Sequence, residues 1–437
     1  MNKFLMGTTA LVAASAFTAP AFAAERLQLQ IRGYNTSGIS YTDADRDFGY
    51  VHYDEDGSVY DSDTYSPSFD NNEINFGSSS EIHFIGSTTL DNGLEVTFHA
   101  ELELEEDSAA AQTYWYEPSD TIDEVYIQFD GGFGRVQFGQ QDGVMDQMAV
   151  TAPSTFMGHS HNDLEDRSMD PFAPLIGGGN PVNTVGDLSG DSTKIIYFTP
   201  SMNGLQLGFS YTPNPCKNTA GYAGCVWEDY GRNFWEVSGT WQGTYNNVSF
   251  EFSGGYGQGE GYFYYDDPAE WTLGANIGFG GFTIGGSYKD SNAMRYRSWG
   301  LDPQPLSGSG HDYDGTDWDV GVTYESGPWG FNLAYGRMEG DDRFACDFSC
   351  GYADAADTYF DAVYYYEAEA ESWIGGVTYK YGPGMQIGAG VQMLDVDREE
   401  RSVLFDDLNS GTPNGYGSRD WESFDGWSFF IENTITF

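Results

Sequence analysis

The sequence predicts an all-β protein, a transmembrane antiparallel β-barrel of about sixteen strands with short turns at one end and long loops at the other. Three observations predict it. Period-two alternation runs from end to end: Trp427, Phe429, Ile431, Ile435 and Phe437 share one face of the last segment, and Ser428, Glu432, Thr434 and Thr436 the other. The connections alternate between tight and long. The composition is polar on average, at a mean hydropathy of -0.46, yet carries 11 Trp, 31 Tyr and 30 Phe in 437 residues. A soluble sandwich would turn its apolar face to a core, whereas a barrel turns it to lipid and lines a wet lumen with the polar face.

At the N-terminus, Lys3 precedes an apolar run through Phe4, Leu5, Leu11, Val12 and Phe17, followed by Ala21-Phe22-Ala23, which has the small-x-small form of a signal-peptidase site. Residues 1–23 read as a signal peptide and 24–437 as one barrel domain. No later run of about 18 apolar residues occurs, so no spanning helix is available. An exported chain of this kind is soluble or a barrel.

Strands are expected near 26–40, 73–90, 94–105, 122–130, 135–140, 193–199, 205–212 and 234–242, then near 248–258, 270–279, 282–290, 317–326, 331–339, 372–381, 385–394 and 427–437. Between them, Asp91-Asn92-Gly93, Gly131 to Gly134, Gly280-Gly281 and Gly382-Pro383-Gly384 are tight turns rich in turn formers. Residues 41–72, 141–192, 213–233, 291–316, 340–371 and 395–426 read as long loops loaded with Asp, Gly and Ser. A soluble sandwich has no reason to keep that parity, whereas an outer-membrane barrel puts short turns in the periplasm and long loops outside the cell.

With 67 acidic against 18 basic residues the formal net charge is -49, which excludes a nucleic-acid partner, since phosphate contacts need basic clusters. Parity assigns faces. With Leu94, Val96, Phe98 and Leu102 outward, Glu95, Thr97, His99, Glu101 and Glu103 face the lumen. With Val125, Ile127 and Phe129 outward, Glu124, Gln128 and Asp130 do. Glu236, Glu251, Asp319, Glu325 and Glu432 join them, against the bases Arg32, Arg135, Lys289 and Lys380. Of these, Glu101, Glu124 and Glu251 are the candidate wall acids. An acidic wall concentrates cations and repels anions.

The signal peptide, strand count, terminal Phe437 and unusually long loop after the fifth strand resemble the general diffusion porins of Gram-negative bacteria, closest in style to those of alphaproteobacteria. The resemblance spans the whole chain and rests on an ordered pattern rather than one motif. It implies an outer-membrane homotrimer among lipid and lipopolysaccharide, passing small hydrophilic solutes and ions. It also implies a third long loop folded inward, whose acids face arginines across a constriction. Carried over, the loop is 141–192, its acids are Asp163, Glu165, Asp166 and Asp170, and the facing bases are Arg32 and Arg135. A substrate-selective channel, an outer-membrane enzyme and an adhesin remain open as alternatives.

Three weaker signals complete the reading. Asp43, Asp45, Asp47 and Asp54 alternate like a calcium loop, although Phe48 replaces the expected Gly and Asp54 the usual Glu; calcium among the acidic loops is the one cofactor expected. His159 and His161 have spacing that a transition metal could use, and read better as part of a solvated loop. Cys216 with Cys225 and Cys346 with Cys350 are expected as disulfides within their loops, since an even count in an exported chain favours pairing.

Overall fold

A computed structural model describes residues 26–53, 59–65, 73–104, 122–161, 169–172, 181–214, 231–261, 267–292, 311–346, 361–405 and 413–437. In chain order the strands are β1 (Gln28–Tyr53), β2 (Val59–Tyr65), β3 (Ile74–Thr89), β4 (Glu95–Glu103), β5 (Val125–Gly131) and β6 (Gly134–Gln140), followed by β7 (Thr193–Phe198), β8 (Leu205–Thr212), β9 (Arg232–Tyr245), β10 (Val248–Glu260), β11 (Ala269–Phe279) and β12 (Phe282–Ser291). The last five are β13 (His311–Ser326), β14 (Trp329–Cys346), β15 (Asp361–Gly382), β16 (Met385–Phe405) and β17 (Pro413–Thr436). Each of β3 to β17 pairs antiparallel with its neighbour in sequence. β1 closes the sheet by pairing β3 from Gln28↔Ser87 to Tyr41↔Ile74 on one edge and β17 from Tyr34↔Thr436 to His52↔Ser418 on the other. This is the closed 16-strand barrel that the alternation predicts. β2 is the extra strand, hydrogen-bonded to the far end of β1 beyond the reach of β3. The signal-peptide segment lies outside the described residues.

The turns behave as their residues require. Asn246 and Asn247 both sit at positive φ, 48° and 62°, between the paired Tyr245 and Val248. This is the two-residue hairpin whose twist matches the strands. At the other rim the long connections are partly strand. β1 continues to Tyr53, so residues 41–53 are not a loop, and β14 to β17 run well into the ranges 340–371 and 395–426.

The outer face carries an apolar belt bounded by aromatic rings. Leu205, Leu207 and Phe209, Ile277 and Ile284, Phe331 and Leu333, and Phe429 and Ile431 are all exposed on it. Towards the long-loop rim Trp271 meets Tyr288 at 4.9 Å and Tyr335 meets Trp373 at 4.5 Å, both tilted; towards the short-turn rim Phe282 meets Tyr324 at 4.4 Å and Trp329 meets Tyr379 at 4.6 Å. Trp271 and Phe279, eight positions apart on β11, span about 26 Å of strand before tilt. That matches an apolar band of roughly 25 Å between two girdles.

Above the belt the same alternation acquires the opposite meaning. Ala368, Ala370, Leu394, Val396 and Phe424 point into the barrel and form a buried cluster with Phe172 and Val182 of the long loop, while Glu367, Glu369 and Asp397 point out. Outside the belt there is no lipid to cover apolar side chains. Burial against the loop then decides which face they take.

Candidate functional site

β6 and β7 have only seven and six residues, so the connection 141–192 leaves and rejoins the wall inside the barrel rather than above its rim. It begins with the single turn α1 (Val144–Gln147), whose Val144 and Met145 are fully buried. Val144 and Met148 pack on Ile196 and Phe198. From there wall side chains hold the loop's backbone. Met145 N–H donates to Glu236 Oε2 (3.2 Å), Val150 N–H to Ser253 Oγ (3.0 Å), and Asn276 Nδ2 donates to the Thr151 carbonyl (3.1 Å). On β17, Glu432 accepts from Met157 N–H (3.1 Å), Gly158 N–H (3.2 Å) and His159 Nδ1 (2.9 Å).

The return arc is anchored in the same way. Asn183 N–H donates to Asp317 Oδ1 (3.1 Å), Asp187 N–H to Glu270 Oε2 (3.0 Å), and Ser189 Oγ to Glu236 Oε1 (3.1 Å). Lys289, 1% exposed, donates to the carbonyls of Asn183 and Val185 and pairs with Asp317 at 3.3 Å. Wall carboxylates suit this task because a segment without regular structure leaves backbone donors that must be satisfied once buried. The inward fold of the third long loop is therefore as expected, and its contacts run from β8 round to β17 and β1.

Wall glycines make the room. A Cβ on Gly274 would lie 1.7 Å from the Val150 carbonyl oxygen, and one on Gly376 or Gly390 would lie 2.7 or 3.0 Å from the Phe156 ring. Phe156 fills that space and packs edge-on against Phe430 at 5.0 Å.

Some expected site residues find other roles. His159 and His161 are buried, 5% and 3% exposed, not solvated. His159 stacks on Phe430 at 3.6 Å, and burial pushes His161 down to about 4, keeping it neutral. Asp43, Asp45 and Asp47 are exposed along extended β1. Side chains two apart on a strand run parallel rather than converging, so this is a strand edge and not a calcium loop; Asp54 lies outside the described residues.

Asp170 is half-buried and caps Phe172 N–H at 2.8 Å, while Asp163, Glu165 and Asp166 lie outside the described residues. Arg135 sits next to the Gly131–Gly134 turn, ion-paired with Asp130 at 2.9 Å. Arg32, paired with Gln30 at 3.0 Å, is four residues below Thr36, where β1 meets Gly158. Both arginines thus lie towards the short-turn rim. Among the described residues, bases at the loop's own height include Lys289, Lys194, and Arg46 and Arg398, the last two flanking Glu422 at 2.5 and 3.5 Å beside the Phe424 cluster. Reading β1 and β16 as ending at residues 40 and 394 hid the two arginines.

Glu101 and Glu124 are on the inner wall, with Glu124 accepting Asp142 N–H at the loop's root (3.1 Å). Glu251 faces in further down, accepting from Gln242 at 2.6 Å. Burial, with Asp187, Glu236 and Asp191 nearby, raises the Asp146 carboxyl to about 7 although Lys194 opposes the shift. Cys216, Cys225 and Cys350 lie outside the described residues, and only the backbone of Cys346 is placed.

A family model described as Gram-negative porin matches residues 7–399. No curated protein matches the chain. Among solved structures, the chain is similar to the outer membrane channel DcaP of Acinetobacter baumannii, at 12% identity and a TM-score of 0.49 over 96% of this chain and 100% of that one. It is also similar to the trimer form of OmpT, an outer membrane protein of Vibrio cholerae (11%, TM-score 0.48, 94% and 100%), and to an anion-selective porin from Comamonas acidovorans (16%, TM-score 0.45, 94% and 100%).

Proposed function

The chain belongs to the Gram-negative porin family and is an outer-membrane diffusion channel, and from that premise we propose that it passes small hydrophilic solutes with a preference for cations and works as a homotrimer. The observation that carries the reading is that the described parts of the loop, residues 141–161, 169–172 and 181–192, are seated inside the barrel on wall carboxylates. A loop held at many points along the wall takes up part of the cross-section of the lumen and so narrows it. Charges in a narrow passage with low-dielectric walls act on an ion more strongly than charges on a wide rim.

Preference for cations is supported by the balance of groups on the stretch of wall from the start of β1 through β3 to β6. Glu81, Glu101, Glu124 and Asp130 face in there against Arg32 and Arg135, and Asp130 already holds Arg135. Arg46 and Arg398 supply bases at the height of the loop, in place of Arg32 and Arg135, which lie towards the short-turn rim. In this reading the acids Asp163, Glu165, Asp166 and Asp170 add to the acidic balance of the passage, and Asp170, which caps Phe172, lies by the same Phe172–Phe424 cluster as Arg46 and Arg398.

Bilayer recording tests it. The purified protein in a salt gradient should give a reversal potential of the sign for cation selectivity. Neutralising Asp163, Glu165, Asp166 and Asp170 together to Asn or Gln should lower the cation-to-anion permeability ratio. A parent channel selective for anions, or a neutralised one with unchanged selectivity, rejects the assignment of preference to these groups.

A further inference from the structure

On the inner wall between β3 and β4, outside everything the loop touches in the contacts above, three ligating atoms meet. His83 on β3 stands directly opposite Glu101 on β4. His99, two residues before Glu101, shares its face. His83 Nδ1 lies 3.2 Å from His99 Nε2 and 2.9 Å from Glu101 Oε2, and the last two are 3.9 Å apart. A tetrahedral ion with bonds of about 2.0–2.1 Å to nitrogen and oxygen needs donor–donor edges of about 3.3–3.4 Å. The three observed edges straddle that value.

We propose that His83, His99 and Glu101 form a binding site for a first-row transition-metal dication of the Zn²⁺ class, with its fourth position open to the lumen. Two imidazoles and a carboxylate are a donor set for zinc-like ions and not for calcium or magnesium, which take oxygen. The second shell is of the kind such sites carry. Glu81 Oε2 lies 3.2 Å from His83 Nε2; that ring nitrogen donates its proton to the carboxylate and leaves the Nδ1 lone pair aimed at the centre.

His99 is held by Tyr126, edge-on at 4.9 Å, and by parallel stacking on His83 with ring centroids 5.4 Å apart. Among the described residues its buried Nδ1 has no hydrogen-bond partner, and it points towards Glu124 Oε2 at 3.8 Å. A small movement of Glu124 on metal binding would complete a second carboxylate–histidine pair. The side chains of His83, His99 and Glu101 are 23%, 12% and 10% exposed, so an ion in the lumen reaches them without unfolding the wall. A proton shared between the two rings is the competing arrangement, and it binds no metal.

The test uses the folded full-length protein in detergent, stripped with a chelator and titrated with Co²⁺ and then Zn²⁺. One Co²⁺ per chain with tetrahedral visible absorption, displaced by Zn²⁺, is expected. His83→Gln and His99→Gln should each abolish the absorption, and Glu81→Gln should weaken binding by about 10–100-fold through the second shell. Absence of stoichiometric Co²⁺ binding in the parent overturns the proposal. Binding unchanged by His83→Gln and His99→Gln also overturns it, because the ion is then held by acids elsewhere. Should those two variants fail to fold, Glu81→Gln decides: unchanged affinity in that variant rejects the site. None of these readouts depends on conductance, so the site stands or falls separately from ion preference.

Discussion

Removing the Glu432 carboxylate should release the outbound arm of the inner loop while leaving the barrel intact. Glu432 is 1% exposed and accepts three hydrogen bonds, from Met157 N–H, Gly158 N–H and His159 Nδ1, at 3.1, 3.2 and 2.9 Å. Hydrogen bonds to a charged group contribute about 1.5–3 kcal/mol each, and breaking a buried charged cluster by removing one partner costs about 3–5 kcal/mol in all, since the single terms do not add. At about 1.4 kcal/mol per tenfold, Glu432→Ala should raise the population of locally detached loop by roughly two to three and a half orders of magnitude. Glu432→Gln keeps one acceptor oxygen and should fall between the two.

The remaining anchors at Glu236, Glu270 and Asp317 hold the rest of the loop, so the sheet should keep its register. Single-channel recording should show larger or flickering conductance, and hydrogen exchange at residues 156–159 should speed up by a similar factor. Unchanged conductance together with unchanged exchange in a folded Glu432→Ala protein would refute the claim that this cluster holds the constriction in place.

Gly274→Val should displace the loop by a purely steric route, because the new Cβ would collide with the Val150 carbonyl; raised conductance with a retained barrel circular-dichroism spectrum is expected, and parental conductance would count against the packing described. Lys289→Met should lower the thermal transition, since Asp317 is left without the buried cation that faces it, a loss of about 3–5 kcal/mol to be read by calorimetry against Lys289→Arg. The Asp146 carboxyl, raised from 3.8 to about 7 by burial and neighbouring acids, is protonated in the folded state where the unfolded chain is ionised. Its stabilisation is present at about pH 4 and is lost as pH rises to 7, so Asp146→Asn should flatten that part of the stability profile, and an unaltered slope would show that other groups set it. Peptide mapping without reduction should find Cys216 linked to Cys225 and Cys346 to Cys350; free thiols or cross-loop links would reject both bridges.

What the sequence determined by itself is the part of this protein governed by local periodicity. A strand shows its two faces as alternate residues, so Leu205, Leu207 and Phe209 or Phe429 and Ile431 identify an apolar belt. Turn formers at Asp91-Asn92-Gly93 and Gly280-Gly281 mark one rim. The hairpin at residues 91–93 even fixes His83 opposite Glu101, because a tight turn sets the register of the two strands it joins. The tertiary structure decided which environment each face meets. Period two says which residues share a face and not what covers it. Above the belt Ala368, Leu394 and Phe424 therefore turn inward onto Phe172, and Asp43, Asp45 and Asp47 lie along a strand instead of around an ion. Burial of the loop likewise depends on partners far apart in the chain, Glu236, Asp317 and Glu432, brought to one height only when β17 closes on β1. That closure leaves the loop's backbone donors in a space where wall carboxylates are within reach to satisfy them.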